Sequence, residues 1–211
     1  MPASPEQPTA AQLFGGGVRP RDTREKLLHA ALDFFYGHGF HAVGIDRIID
    51  AVGVTKTTFY KHFESRDQLI LEAVRLRNEW ESSAFGRCVQ EKAGHDPRAM
   101  LLAMFDVLDD WFNDERYKGC IFMSSCHEFP SQKHPVHLAA ASHFLAGEAE
   151  MESMAKAAGA RDPKALARQW VLLMQGASAL RLTVGDNGAA RRAKALAEAL
   201  LDQQTRPAAR R

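Results

Sequence analysis

The chain has 211 residues, 45% hydrophobic and 25% charged, the balance of an ordinary water-soluble globular protein. No window approaches the roughly 18 consecutive apolar residues of a membrane span, and residues 1–17 lack the basic start and apolar core of a signal peptide. Membrane insertion and secretion are therefore not expected, and a cytoplasmic location is. Three cysteines are too few, and odd in number, for a disulfide framework, so reduced thiols are expected. The net charge of +1 announces no polyanionic partner, although Arg19 to Arg66 carries eight Lys/Arg against six Asp/Glu, a net of +2.

Residues 1–20, rich in Pro, Gly, Ala and Gln, read as a flexible N-terminal arm. Asp22 and Thr23 are N-cap types ahead of an amphipathic run, in which Leu27, Leu28, Ala31, Leu32 and Phe35 share one helical face. Gly37 and Gly39 end it. A second short helix carries Ile45, Ile48, Ile49 and Val52, a third covers about 55–63, and a long amphipathic helix of about 40 Å runs over 66–92. After the Asp96-Pro97 cap pair, helical patterns cover about 97–113, 120–127, 135–158, 163–184 and 189–202. No alternating strand pattern occurs. The fold class is all-α.

Residues 45–63 carry the most chemistry. Two short helices meet at a turn containing Gly53, where a left-handed backbone is cheap only for glycine. Ile45, Ile48 and Ile49 face a core that Leu28, Phe35 and Phe59 complete. Thr55 opens the second helix as its N-cap, leaving Lys56, Thr57, Tyr60, Lys61 and His62 on the outer side. Such cationic and hydrogen-bonding groups suit the phosphates and base edges of a major groove. A bare helical corner has the same outline, so the pattern alone leaves a bundle corner open.

The run from Thr23 to Phe35, Gly39-Phe40, and the run from Ala51 to Phe63 together resemble the N-terminal domain of the TetR family. Glu64-Ser65-Arg66-Asp67-Gln68-Leu69 resembles the segment that opens that family's fourth helix. Phe59 stands where leucine is usual and Arg66 where lysine is usual, both conservative. The resemblance implies a three-helix DNA-binding domain with a helix-turn-helix over 21–66, followed by a helical ligand-binding and dimerisation domain over 67–204 and a basic tail over 205–211. It implies a homodimer on a palindromic double-stranded DNA operator. Thr23, Thr55, Lys56, Thr57, Tyr60, Lys61, His62 and Arg66 would contact that DNA, Thr23 and Arg66 on flanking phosphates.

The segment from Gly119 to Pro130, with Pro135-Val136-His137 behind it, is similar to one recurrent subgroup of the family's C-terminal domains. Bulky residues gather here, and the family often uses such residues to line a pocket for a small apolar or amphipathic effector. The expected lining is Met104, Phe105, Leu108, Trp111, Phe122, Met123, His127, Phe129, His143, Trp170 and Met174, with Phe112, Phe144 and Met151 nearby and Glu128 and His137 as further polar candidates. Each apolar one also fits a plain core position.

Cys120, Cys126, His127, His134, His137 and His143 raise the alternative of a metal- or thiol-redox-responsive regulator, although only His134 and His137 share a ligand-like spacing. A nucleophile at Cys126 or Ser125 has no supporting motif, so neither an enzyme nor a cofactor is expected. Leu166, Trp170, Leu173, Ala177, Leu180 and Val184, with Ala193, Leu196 and Leu200, recur at helical steps on the last two helices. The resemblance makes them a dimer interface rather than an internal core.

Overall fold

The computed structural model describes residues 19–205, so the expectations for the N-terminal arm and the basic tail fall almost wholly outside the described residues. Within them are nine α-helices and no strand: α1 (Thr23–His38), α2 (Ile45–Val52), α3 (Lys56–His62), α4 (Arg66–Ala93), α5 (Pro97–Phe112), α6 (Ile121–Glu128), α7 (Pro135–Ala157), α8 (Pro163–Val184) and α9 (Ala189–Thr205). The boundaries follow from local chemistry. Side chains of Asp22, Thr55, Asp96 and Asp162 each accept a hydrogen bond from the backbone amide three residues on, closing the first turns of α1, α3, α5 and α8. Gly39, at φ +84°, stops α1, and Gly53, at φ +73° and ψ +37°, stops α2 in the left-handed region.

The described residues form two compact units. One comprises residues 19–81 together with Cys120–His143. Its core takes Leu27, Leu28, Ala31, Leu32 and Phe35 from α1, Ile48 and Ile49 from α2, and Phe59 and Phe63 around α3. Each of these side chains larger than alanine contributes on the order of 1.5–3 kcal/mol by leaving water. Leu69, Ile70, Ala73 and Val74 extend this core along α4.

The other unit comprises Ser82–Gly119 and residues 144–205. Here α9 packs on α5 and α8. Three ion pairs, Arg98 with Asp202, Asp106 with Lys194 and Asp109 with Arg191, step along α5 and α9 in opposite directions, so the two helices run antiparallel. Ala190, Ala193 and Ala197 let α9 approach closely. Trp170 of α8 donates from Nε1 to the Leu101 carbonyl at 3.2 Å. Arg181 donates from Nε to the Phe112 carbonyl at 2.8 Å, satisfying the open end of α5. No helix among the described residues is long and apolar enough to cross a membrane.

Candidate nucleic-acid interface and sensor residues

The α2–turn–α3 corner is held from beneath. Ile48, Ile49, Phe59 and Phe63 are buried, and the Gly53 amide bonds the carbonyls of Ile49 and Asp50. With its inner face committed to Phe59, α3 leaves Thr55, Lys56, Thr57, Tyr60 and Lys61 exposed and His62 half-buried. Tyr60 stands 55% exposed, its ring set edge-on to Phe59 at 5.2 Å. Thr55 spends its hydroxyl oxygen on the Thr58 amide at 3.1 Å, which fixes the start of α3. This arrangement gives one small surface of hydroxyls, a phenol and cations on a rigid helix, suited to phosphates and base edges.

Lys56 Nζ lies 2.8 Å from the Asp46 carboxylate of α2, and that partner holds the ammonium above its ordinary pKa. Asp46 escaped the sequence reading because nothing local links it to a lysine ten residues on. Arg66, expected on phosphate, is differently engaged. Its Nε donates to the Val43 carbonyl at 3.1 Å and its Nη2 to the Phe40 carbonyl. The turn between α1 and α2 presents carbonyls with no helical partner, and the first residue of α4 supplies the cation that satisfies them. Thr23 sits half-buried as the first residue of α1.

The expected effector residues separate into two groups. Met104, Phe105, Leu108, Trp111 and Trp170 are buried within the second unit, with Met174 half-buried, and the Phe105 and Trp170 rings lie 5.5 Å apart. In the first unit Phe122 stacks on His143 at 3.8 Å, and His143 Nδ1 is 2.7 Å from Asn78 Oδ1. Burial lowers the His143 pKa, with Arg77 acting in the same direction and Glu81 opposing. Met123 is half-buried and His127 exposed. Phe129 packs instead on Phe40, His41 and His134, and its carbonyl accepts from His137 Nδ1 at 2.8 Å. The Glu128 carboxylate accepts from the amides of Phe40 and His41. Glu128, Phe129 and His137 thus serve the turn ahead of α2, a long-range pairing without local periodicity.

The expected interface residues also divide. Leu166, Trp170, Ala177 and Ala193 are buried within the chain itself, Trp170 completely. Helical periodicity marks a buried face without saying what buries it. Leu180, Val184 and Leu196 are exposed, the last at 59%, while Leu173 and Leu200 are half-buried. Leu172 and Leu182, missed by the spacing argument, are exposed too.

The metal and thiol alternatives gain no support. Among the described residues no three His, Cys, Asp or Glu side chains gather as a metal site. Burial pushes the Cys120 thiol up to about 12, with Glu81 adding to the effect, and burial raises Cys126 as well. Thiols so shifted are poor nucleophiles near neutrality.

Residues 27–73 match the family model described as bacterial regulatory proteins, tetR family, and residues 97–197 match the tetracyclin repressor-like C-terminal domain. Over 61 residues the chain is 43% identical to the HTH-type transcriptional activator FasR of Mycolicibacterium smegmatis, a match spanning 28% of each protein. Among solved structures it is similar to a putative TetR transcriptional regulator from Streptomyces avermitilis, at 30% identity and TM-score 0.75, covering 87% of this chain and 98% of that one. A TetR-family regulator from Streptomyces coelicolor gives 27% identity and TM-score 0.78, covering 87% and 96%.

Proposed function

We propose, from the premise that this chain belongs to the TetR family of transcriptional regulators, that it is a cytoplasmic repressor that binds a palindromic operator as a homodimer. The observation that carries this reading is the surface of α3, where Thr57, Tyr60 and Lys61 stand exposed on a helix locked by the Thr55 cap and the buried Phe59. Two such helices, one per protomer, would enter successive major grooves about 34–36 Å apart. Lys56, Lys61 and Tyr60 would anchor phosphates, with Thr57 nearer the base edges. Arg66, already bonded to two carbonyls, would support the DNA-reading corner rather than grip phosphate.

A small apolar or amphipathic molecule in the C-terminal half would release the DNA by favouring a state in which α4 tilts and the two recognition helices are mis-spaced. The aromatic content of that half supports such a ligand, around Phe105 and Trp170 or around Phe122 and His143. Exposed Leu172, Leu180, Val184 and Leu196 on α8 and α9 support a second copy as the partner there.

The test is a titration of a cognate duplex by fluorescence anisotropy at several salt concentrations. Tyr60→Ala and Lys56→Ala should each weaken binding roughly tenfold, and loss of Lys56 should lower the salt slope by about one. Unchanged binding by both variants contradicts the assignment of α3 as the recognition helix.

A further inference from the structure

The turn between α1 and α2 is held by two charged side chains that come from distant parts of the sequence. The Phe40 amide donates to Glu128 Oε1 at 3.0 Å and the His41 amide to Glu128 Oε2 at 2.8 Å. His41 closes the contact by donating from Nε2 to the Glu128 carbonyl at 2.9 Å. On the other side the Phe40 carbonyl accepts from Arg66. The Phe40–His41 peptide therefore lies between an anion at the end of α6 and a cation at the start of α4.

Two adjacent amide donors require two acceptor oxygens, and a carboxylate is the side chain that offers both with charge-assisted bonds. Gly39 makes the close approach possible, since a Cβ there would lie 3.0 Å from Glu128 Oε1, at a φ of +84° that L side chains rarely adopt. Phe129 adds an apolar clamp, edge-on to the Phe40 ring at 5.7 Å. The next element, α2, follows Gly44 with no side-chain cap of its own, so its start depends on how this turn is held.

We propose that Glu128 is a positioning residue for DNA reading. It ties the end of α6 to the turn that carries α2 and α3, so the helix-turn-helix is oriented by the α6 segment as well as by α4. A displacement of α6 is then delivered to the recognition helix through the Phe40 and His41 amides. The proposal rests on the reading that two protomers bind two half-sites.

The experiment compares a selected inverted-repeat duplex with the same duplex carrying one base pair inserted between its half-sites. Wild-type protein, with both helix-turn-helices held firmly, should lose roughly 100-fold in affinity on the insertion. Glu128→Ala, checked by circular dichroism to be folded at the assay temperature, should bind the correct duplex roughly tenfold more weakly and lose less than about tenfold on the insertion. Glu128→Gln, nearly isosteric and left with one acceptor oxygen, should fall between. A loss of stability alone would not change the ratio between the two spacings. A full wild-type penalty in both variants overturns the role of Glu128. A wild-type protein indifferent to spacing overturns the two-half-site reading, and this proposal with it.

Discussion

Arg77 donates from Nε to the Glu81 carboxylate at 2.9 Å across one turn of α4, and both side chains are buried. The guanidinium also lies over the Tyr36 ring of α1, 5.4 Å from its centroid. Desolvating an ion pair offsets much of its attraction, but removing one partner strands the other charge. Glu81→Ala should therefore lower the unfolding free energy by about 3 kcal/mol in urea titrations, while the double variant Arg77→Met with Glu81→Leu should recover most of that loss. A single-variant effect below about 1 kcal/mol contradicts a tightly desolvated pair.

His143 gives the fold a pH dependence whose sign follows from burial. Its folded-state pKa lies below the ordinary 6.5, chiefly through desolvation, with Arg77 reinforcing the shift and Glu81 opposing it. Above 6.5 both folded and unfolded chains carry a neutral imidazole, and the full stability is present. As pH falls below 6.5 the unfolded chain takes up the proton first, so stability is lost down to the folded pKa. His143→Gln should flatten the fall in melting temperature between about pH 7 and pH 5. Some slope should survive, because burial also lowers the His29 pKa. An unchanged slope contradicts a buried neutral His143.

The Cys120 thiol, pushed up to about 12 by burial, holds almost no thiolate at neutral pH. Iodoacetamide at pH 7.5 should therefore leave Cys120 intact in the native protein and alkylate it only on unfolding, as read by mass spectrometry. Cys120→Ser should retain DNA binding before and after peroxide. Rapid native alkylation at Cys120, or DNA release that depends on it, would restore the thiol-switch alternative.

The elements were legible in the sequence because their ends are chemical. Asp22, Thr55 and Asp96 cap the helices they precede, and Gly53 stops α2 in the left-handed region as its place in the turn requires. The outward face of α3 followed from the inward pull of Phe59. What escaped were pairings across long separations. Glu128 meets amides 87 and 88 residues away, and Arg66 meets carbonyls 23 and 26 residues away, and neither leaves a period to read. Trp170 failed for a different reason. Its spacing marked a buried face, and the chain itself does the burying, with Nε1 bonded to the Leu101 carbonyl.

The exposed leucines on α8 and α9 carry the dimer reading. Leu172 and Val184 are each 71% exposed, and Leu196 is 59% exposed. Leu196→Glu should shift sedimentation at micromolar concentration from dimer toward monomer, because an unpaired carboxylate would have to be desolvated in the interface. The helical circular dichroism should be unchanged, since Leu196 is not part of the protomer core. A variant that stays dimeric moves the interface away from this face.

The central claim is that this chain reads an inverted repeat through α3. The most direct measurement is selection of double-stranded DNA from a random-sequence library by the full-length protein, followed by sequencing of the bound pool. The account predicts enrichment of a palindromic site with half-site centres roughly 10 base pairs apart or a multiple of that, and loss of the enrichment with Tyr60→Ala. A bound pool with no motif beyond the input, or an asymmetric site retained by Tyr60→Ala, would contradict it.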